Sequence, residues 1–179
     1  MLNKISLLSL ICIFCCYNFK KNFNQEDNKI CWSSQRKLKW SDFTGIPDST
    51  KTNYGAMVAG SVEITESYWE DEIPKFKVAA YFIKNESWTT VNDEYSLKHE
   101  QLHFDIHELF ARKIRKSFDS LNCKKVKKIQ DYQDKYTQLL NANIDMQALY
   151  DGKVYFNNQA QQQWSKKINN ELKKLQKFQ

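Results

Sequence analysis

His99, Glu100 and His103 stand in the order H-E-x-x-H, and they include two of the only 3 histidines in the chain. An α-helix turns once every 3.6 residues, so positions i and i+4 stack on one face, about 6 Å apart along the axis. Two imidazoles so placed can converge on one Zn²⁺, and a glutamate beside the first can reach water at the ion. The chemistry this spacing implies is hydrolysis: a zinc-bound water deprotonated by Glu100 as general base, with the metal polarising the scissile carbonyl. Chance produces these residue types in this order in only a small minority of chains of such length. A surface pair of histidines with no role is the bland alternative.

A catalytic zinc needs a third protein ligand. His107 completes an i, i+4, i+8 series, but on an unbroken helix it lies about 12 Å from His99, too far to share an ion. A supporting or packing role is expected for it. Glu108 points away from His99 by helical angle and is a poor ligand. With no other histidine, a carboxylate, a tyrosine or water must complete the site. Asp151 is the first candidate, with Asp145 and Asp134 behind it. Beside Gly152, Asp151 reads equally well as a turn or cap residue.

The elements that must position these groups change character along the chain. Residues 60–68 alternate apolar and polar at Val62 and Ile64, and residues 76–83 are almost continuously apolar; both read as strands, the second as the central one. The intervening turn holds Glu70, Asp71, Glu72 and Pro74. After Trp88 the period becomes helical. Thr90 or Asn92 can cap a helix with Asp93 and Glu94 in its first turn. Tyr95, Leu102, Ile106, Leu109 and Phe110 recur along it, and it carries the H-E-x-x-H. A second helix is expected over about Lys125 to Tyr150, a break at Asp151-Gly152, and a third helix over about Asn158 to Phe178. The fold class is α+β: a small antiparallel or mixed β layer, the histidine-bearing helix, and two further helices.

Hydrophobic residues at 41% and charged residues at 27% describe a globular chain, while Gly 4 and Pro 2 are too few for a sandwich of many tight turns. Lys4 followed by the apolar run Ile5–Phe19 reads as a signal peptide or short membrane anchor over residues 1–21, and either exports the domain. The run is shorter than the ~20 residues a spanning helix needs. Cys12, Cys15 and Cys16 close it, where a lipid-acceptor cysteine would lie, although Ile13 and Phe14 are not the usual small neighbours. Residues 22–30 read as a linker and 31–179 as the catalytic domain. Cys31 and Cys123 can pair as a disulfide in an exported domain; two separate buried thiols are the alternative. The net charge of +6 comes largely from lysine pairs on helix-like stretches. No nucleic-acid-binding signature accompanies them, so solvated helix faces account for it and nucleic acid is not an expected partner.

The run Leu97-x-His99-Glu100-Gln101-x-His103-Phe104-Asp105-Ile106-x-Glu108, with Arg112 beyond it, resembles the hallmark of the bacterial family known as domain of unknown function 922. Trp32, Leu38, Trp40, Asp42, Phe43, Gly45 and Pro47 resemble its opening motif. Ser87-Trp88, Tyr150-Asp151 and Gln163-Trp164 resemble its later landmarks. The resemblance spans nearly all of the exported part. It implies a secreted, zincin-like, zinc-dependent protease acting on a peptide or protein substrate in the cell envelope, and it accommodates Asp105, which is unusual in zinc-peptidase helices generally. The chain departs from the family's pattern at Val154-Tyr155-Phe156, where the family carries Thr-x-His. Two readings follow: an exported metallopeptidase, or a degenerate envelope protein that keeps the scaffold to bind a partner.

Overall fold

The computed structural model describes residues 28–51, 54–154 and 157–179. The amino-terminal signal or anchor, Cys12, Cys15, Cys16, most of the linker, and Tyr155 and Phe156 lie outside the described residues. The chain is α+β, with a small antiparallel sheet and three helices.

Strands β1 (Lys29–Cys31), β3 (Gly60–Glu70) and β4 (Ile73–Ile83) form a sheet in the order β1-β4-β3, all antiparallel. Lys29 and Ile30, within the stretch read as linker, are therefore strand. The continuously apolar β4 is central, as its texture implies. Asp71 and Glu72, with φ of 49° and 61°, form the two-residue turn between Glu70 and Ile73, a left-handed pair that follows the twist of the flanking strands. Pro74 lies not in that turn but in β4 opposite Trp69. β1 meets β4 only at residues 81–83, so on that flank the missing N–H of Pro74 costs no ladder bond. A second, two-stranded ribbon pairs β2 (Ala56–Met57) with β5 (Trp88–Thr89).

Helix α1 (Glu94–Cys123) is the axis of the domain, α2 (Ile129–Val154) and α3 (Asn158–Lys174) pack on it, and a 3₁₀ turn (Gln176–Phe178) closes the chain. Asp93, rather than Thr90 or Asn92, caps α1, its Oδ1 accepting from the Ser96 N–H at 2.8 Å. Thr90 is already engaged, its Oγ1 donating to the Gly55 carbonyl at 3.1 Å. At the other end Lys125 takes φ 54° and Val126 N–H returns to the Leu121 carbonyl at 3.1 Å, which stops the helix as a Schellman turn does. The expected break at Asp151-Gly152 is absent, because α2 runs through both to Val154.

Three faces of α1 are buried. Ala111, Ile114 and Phe118 meet Val62, Val78 and Ala80 of the sheet with Tyr132 of α2. Leu102, Ile106, Leu109 and Phe110 meet Tyr150 and Val154 of α2 and Ile168 and Leu172 of α3. Phe104 joins Phe82, Ile30, Leu38 and Phe43. Two buried charges on this helix, Glu108 and Arg112, are paired. Glu108 accepts from Arg112 Nε at 2.8 Å and Arg115 Nη2 at 3.1 Å, and Arg112 Nη1 donates to the Leu172 carbonyl at 2.7 Å.

The Arg112 guanidinium lies 5.2 Å from the centre of the Trp32 ring, and Trp32 Nε1 donates to Asp105 Oδ1 at 2.7 Å. Gln101 joins the same group, donating to Asp105 Oδ1 at 2.8 Å and accepting from the Leu38 N–H at 2.8 Å. Asp105, odd for a buried helix position, is thus the anchor of the amino-terminal segment. Cys31 and Cys123 are both exposed and free among the described residues, neither bridged nor buried away. Among the described residues no helix is long and apolar enough to cross a membrane.

Candidate metal centre

His99 and His103 bring their Nε2 atoms to 3.0 Å of each other from successive turns of α1. Asp151 arrives from α2, its Oδ1 lying 3.2 Å from His99 Nε2 and 2.9 Å from His103 Nε2. The three atoms make a nearly equilateral triangle. A tetrahedral zinc with ligand bonds of 2.0–2.1 Å holds its donors about 3.3 Å apart, and a point about 2 Å from all three lies just above such a triangle. The donor chemistry also suits the ion, two imidazoles and one carboxylate. Among the described residues, these three form a group able to hold a metal. The structure brings His99, His103 and Asp151, the three ligands expected from the sequence, to one place, with Asp151 inside a helix and not in a turn. Asp145 and Asp134 are exposed elsewhere on α2 and are not brought in. Glu108 is committed to its two arginines.

Two matched ladders hold the centre. His99, His103 and His107 recur every fourth residue on α1; Asn143, Gln147 and Asp151 recur every fourth residue on α2. The helices oppose them rung by rung: Asp151 against His99 at 3.2 Å, Gln147 Oε1 against His103 Nδ1 at 2.6 Å, Asn143 Nδ2 against His107 Nδ1 at 2.9 Å. Gln147 fixes which nitrogen of His103 carries the proton. Its Nε2 lies 3.1 Å from the His103 carbonyl, an acceptor only, so Oε1 faces the ring and Nδ1 must donate. The lone pair of His103 Nε2 is thereby aimed into the triangle, as a metal ligand requires. Gln147 and Asn143 are absent from the sequence reading; their only mark there is the four-residue spacing behind Asp151.

Tyr150 forms the floor. It is fully buried and stacks on His99 with centroids 4.8 Å apart and planes at 22°, while meeting His103 edge-on at 4.9 Å. Burial drives its phenol well above the ordinary range, with the carboxylates of Glu100 and Asp151 adding to it. Its hydroxyl has no partner among the described residues.

Glu100 is 5% exposed, and its Oε2 accepts from the Val58 N–H at 2.9 Å. Burial raises its carboxyl above the ordinary value, against the pull of His103, His99 and the Val58 hydrogen bond. For Asp151 burial acts in the same direction, but the adjoining His103 and His99 rings in their charged forms outweigh it and hold the carboxyl well below its ordinary range. His103 is raised, since Asp151 and Glu100 overcome the effect of burial on its charged form. The opposite wall is the segment 56–60, held in place by β2–β5 pairing and by Ser87, whose Oγ accepts from the Ala59 N–H at 2.9 Å and donates to the Ile83 carbonyl at 2.7 Å.

Two cavities flank the triangle and share His99, Glu100 and Asp151. One, about 310 Å³, is closed by Met57, Gly60, His107 and Gln147. The other, about 680 Å³, is walled by Tyr54, Val91, Tyr95 and Val154. No protein-family model, no curated protein and no solved structure matches the chain significantly.

Proposed function

We propose that this chain is an exported, zincin-like zinc-dependent hydrolase, a metallopeptidase, similar to the domain of unknown function 922 family and acting on peptides or proteins of the cell envelope. The observation that carries the reading is the triangle of His99, His103 and Asp151 beside a buried, singly anchored Glu100. Bound zinc would supply Lewis acidity, lowering the pKa of water and polarising a carbonyl.

The chain's own residues supply the rest. Glu100 takes a proton from water as the water oxygen attacks the carbonyl carbon, and it returns that proton to the leaving amine as the C–N bond breaks. Its burial favours this work, because a carboxylate whose pKa is raised is the stronger base. The Val58 N–H occupies one oxygen and leaves the other to face the reacting water. His99 and His103 would hold the ion, Asp151 would complete the site and offset its charge, and Gln147 keeps His103 in the ligating tautomer.

The test is zinc content and turnover together. Purified protein is expected to bind one zinc per chain and to cleave an unstructured protein such as casein. Glu100→Gln is expected to keep the zinc and lose the cleavage. Absence of zinc binding under zinc-replete conditions would sink the reading and leave a scaffold that binds partners.

A further inference from the structure

The amide that fixes His103 also fixes His107, through a second amide and to a different end. Gln147 Nε2 must be a donor, because it faces the His103 carbonyl. The Asn143 atom 3.3 Å from it must therefore be the acceptor Oδ1. Asn143 then presents Nδ2 to His107 Nδ1 at 2.9 Å, so Nδ1 accepts and the proton of the neutral ring resides on Nε2. That N–H has no hydrogen-bond partner among the described residues, and the ring borders the 310 Å³ cavity that also contains His99, His103, Glu100 and Asp151.

The opposite wall makes room for it at one residue. A Cβ on Gly60 would come within 2.5 Å of His107 Cδ2 and 2.6 Å of Nε2. Only a residue without a side chain leaves the nitrogen edge of the imidazole beside the cavity. With Nδ1 engaged as an acceptor from Asn143 the ring is uncharged, a donor at Nε2 and no competitor for a cation.

We propose that His107 is a substrate-binding residue, its Nε2–H donating to an acceptor oxygen of the bound chain, a peptide carbonyl or carboxylate, in the recess between Gly60 and the metal centre. This rests on the metallopeptidase reading and adds the group that recognises the substrate on that side. An α1 carrying three histidines at four-residue spacing thus divides their labour: two aim lone pairs at an ion, and the third aims a proton at the substrate. Asn143 sets the difference by offering an N–H where Gln147 offers an oxygen.

Two measurements test it. Imidazole ¹⁵N NMR of the metal-free protein at pH 7 is expected to find His107 as the Nε2–H tautomer; an Nδ1–H tautomer or a mixture overturns the proposal. With zinc bound, the probes are N-acetyl-dialanine hydroxamate, which carries peptide carbonyls, and acetohydroxamic acid, which does not. His107→Leu is expected to weaken the peptide probe about tenfold while changing acetohydroxamic acid and zinc by less than about twofold. Equal loss of both probes would place the effect at the metal and overturn the proposal, as would no loss of either. Asn143→Leu keeps the histidine and the branched shape of the side chain, and it is expected to release the tautomer and weaken the peptide probe alone. Failure of wild type to bind zinc would sink the metallopeptidase reading and with it the substrate role, while the tautomer result would still report on the amide relay.

Discussion

The backbone N–H of Val58 donates to Glu100 Oε2 at 2.9 Å, tying the loop between β2 and β3 to the carboxylate on α1. This bond separates stability from chemistry. Glu100→Gln keeps an acceptor for Val58, so its thermal unfolding should match wild type while turnover falls by about 10² to 10⁴. Glu100→Ala strands a buried N–H and should cost about 1–3 kcal/mol besides. Equal stability losses for the two variants in chemical denaturation would contradict the role given to this bond.

Asp151 closes the triangle from a second helix, so ion binding should join α1 to α2 and stabilise the fold. A ligand that binds only the native state adds about 2.7 kcal/mol at a hundredfold excess over Kd. Thermal melts with zinc and with a chelator should differ accordingly in wild type. His103→Ala should abolish the difference and Asp151→Ala should reduce it. A zinc-induced shift of full size in Asp151→Ala would remove that residue from the site.

His107 carries a pH signature. Its pKa is lowered to about 4 by burial and then by the charge of His103, below the ordinary value near ~6.5. As pH falls, the unfolded chain takes up this proton before the native one does. The resulting stabilisation is complete above pH ~6.5 and is lost as pH falls toward 4, amounting to as much as about 3 kcal/mol. Urea unfolding of metal-free protein at pH 7 and pH 4.5 should therefore show a smaller loss in His107→Leu than in wild type. Parallel losses would show the ring to be titrating normally in the fold.

Gly60 and His107 should be coupled. Gly60→Ala would place a methyl 2.5 Å from His107 Cδ2 and 3.2 Å from the Tyr81 carbonyl. A cost of about 1–3 kcal/mol is expected from this overpacking. In the His107→Ala background most of that cost should disappear, leaving a coupling energy above about 0.5 kcal/mol in a double-mutant cycle. Additive effects would mean that the two positions do not press on each other.

The helical spacing of His99 and His103, and the texture of the central strand, were open to a reader of the residues alone, since both are local and periodic. Asp151 was legible as a residue type but not in its setting. An Asp-Gly pair ordinarily marks a turn, yet a Cβ at Gly152 would meet nothing within 4 Å, so this glycine faces open space. Its intrinsic cost of about 1 kcal/mol is offset by burial of Tyr150 and Val154 on either side. The roles of Gln147 and Asn143 could not be read, because amides at helical spacing are ordinary on polar helix faces. Their meaning depends on which turn of α1 they oppose. Trp32, Gln101, Asp105 and Arg112 were visible as a pattern, but their purpose, holding the amino-terminal segment against α1, required three dimensions.

Opposed rungs impose a frame on the two helices. Slide α2 along α1 by a single turn, about 5.4 Å, and the Gln147 amide replaces the Asp151 carboxylate across from His99. The short connection Lys124–Lys128 is therefore a gauge: its length decides which pairs meet. Insertions there would disarm the centre by misalignment, with every residue of the centre still present.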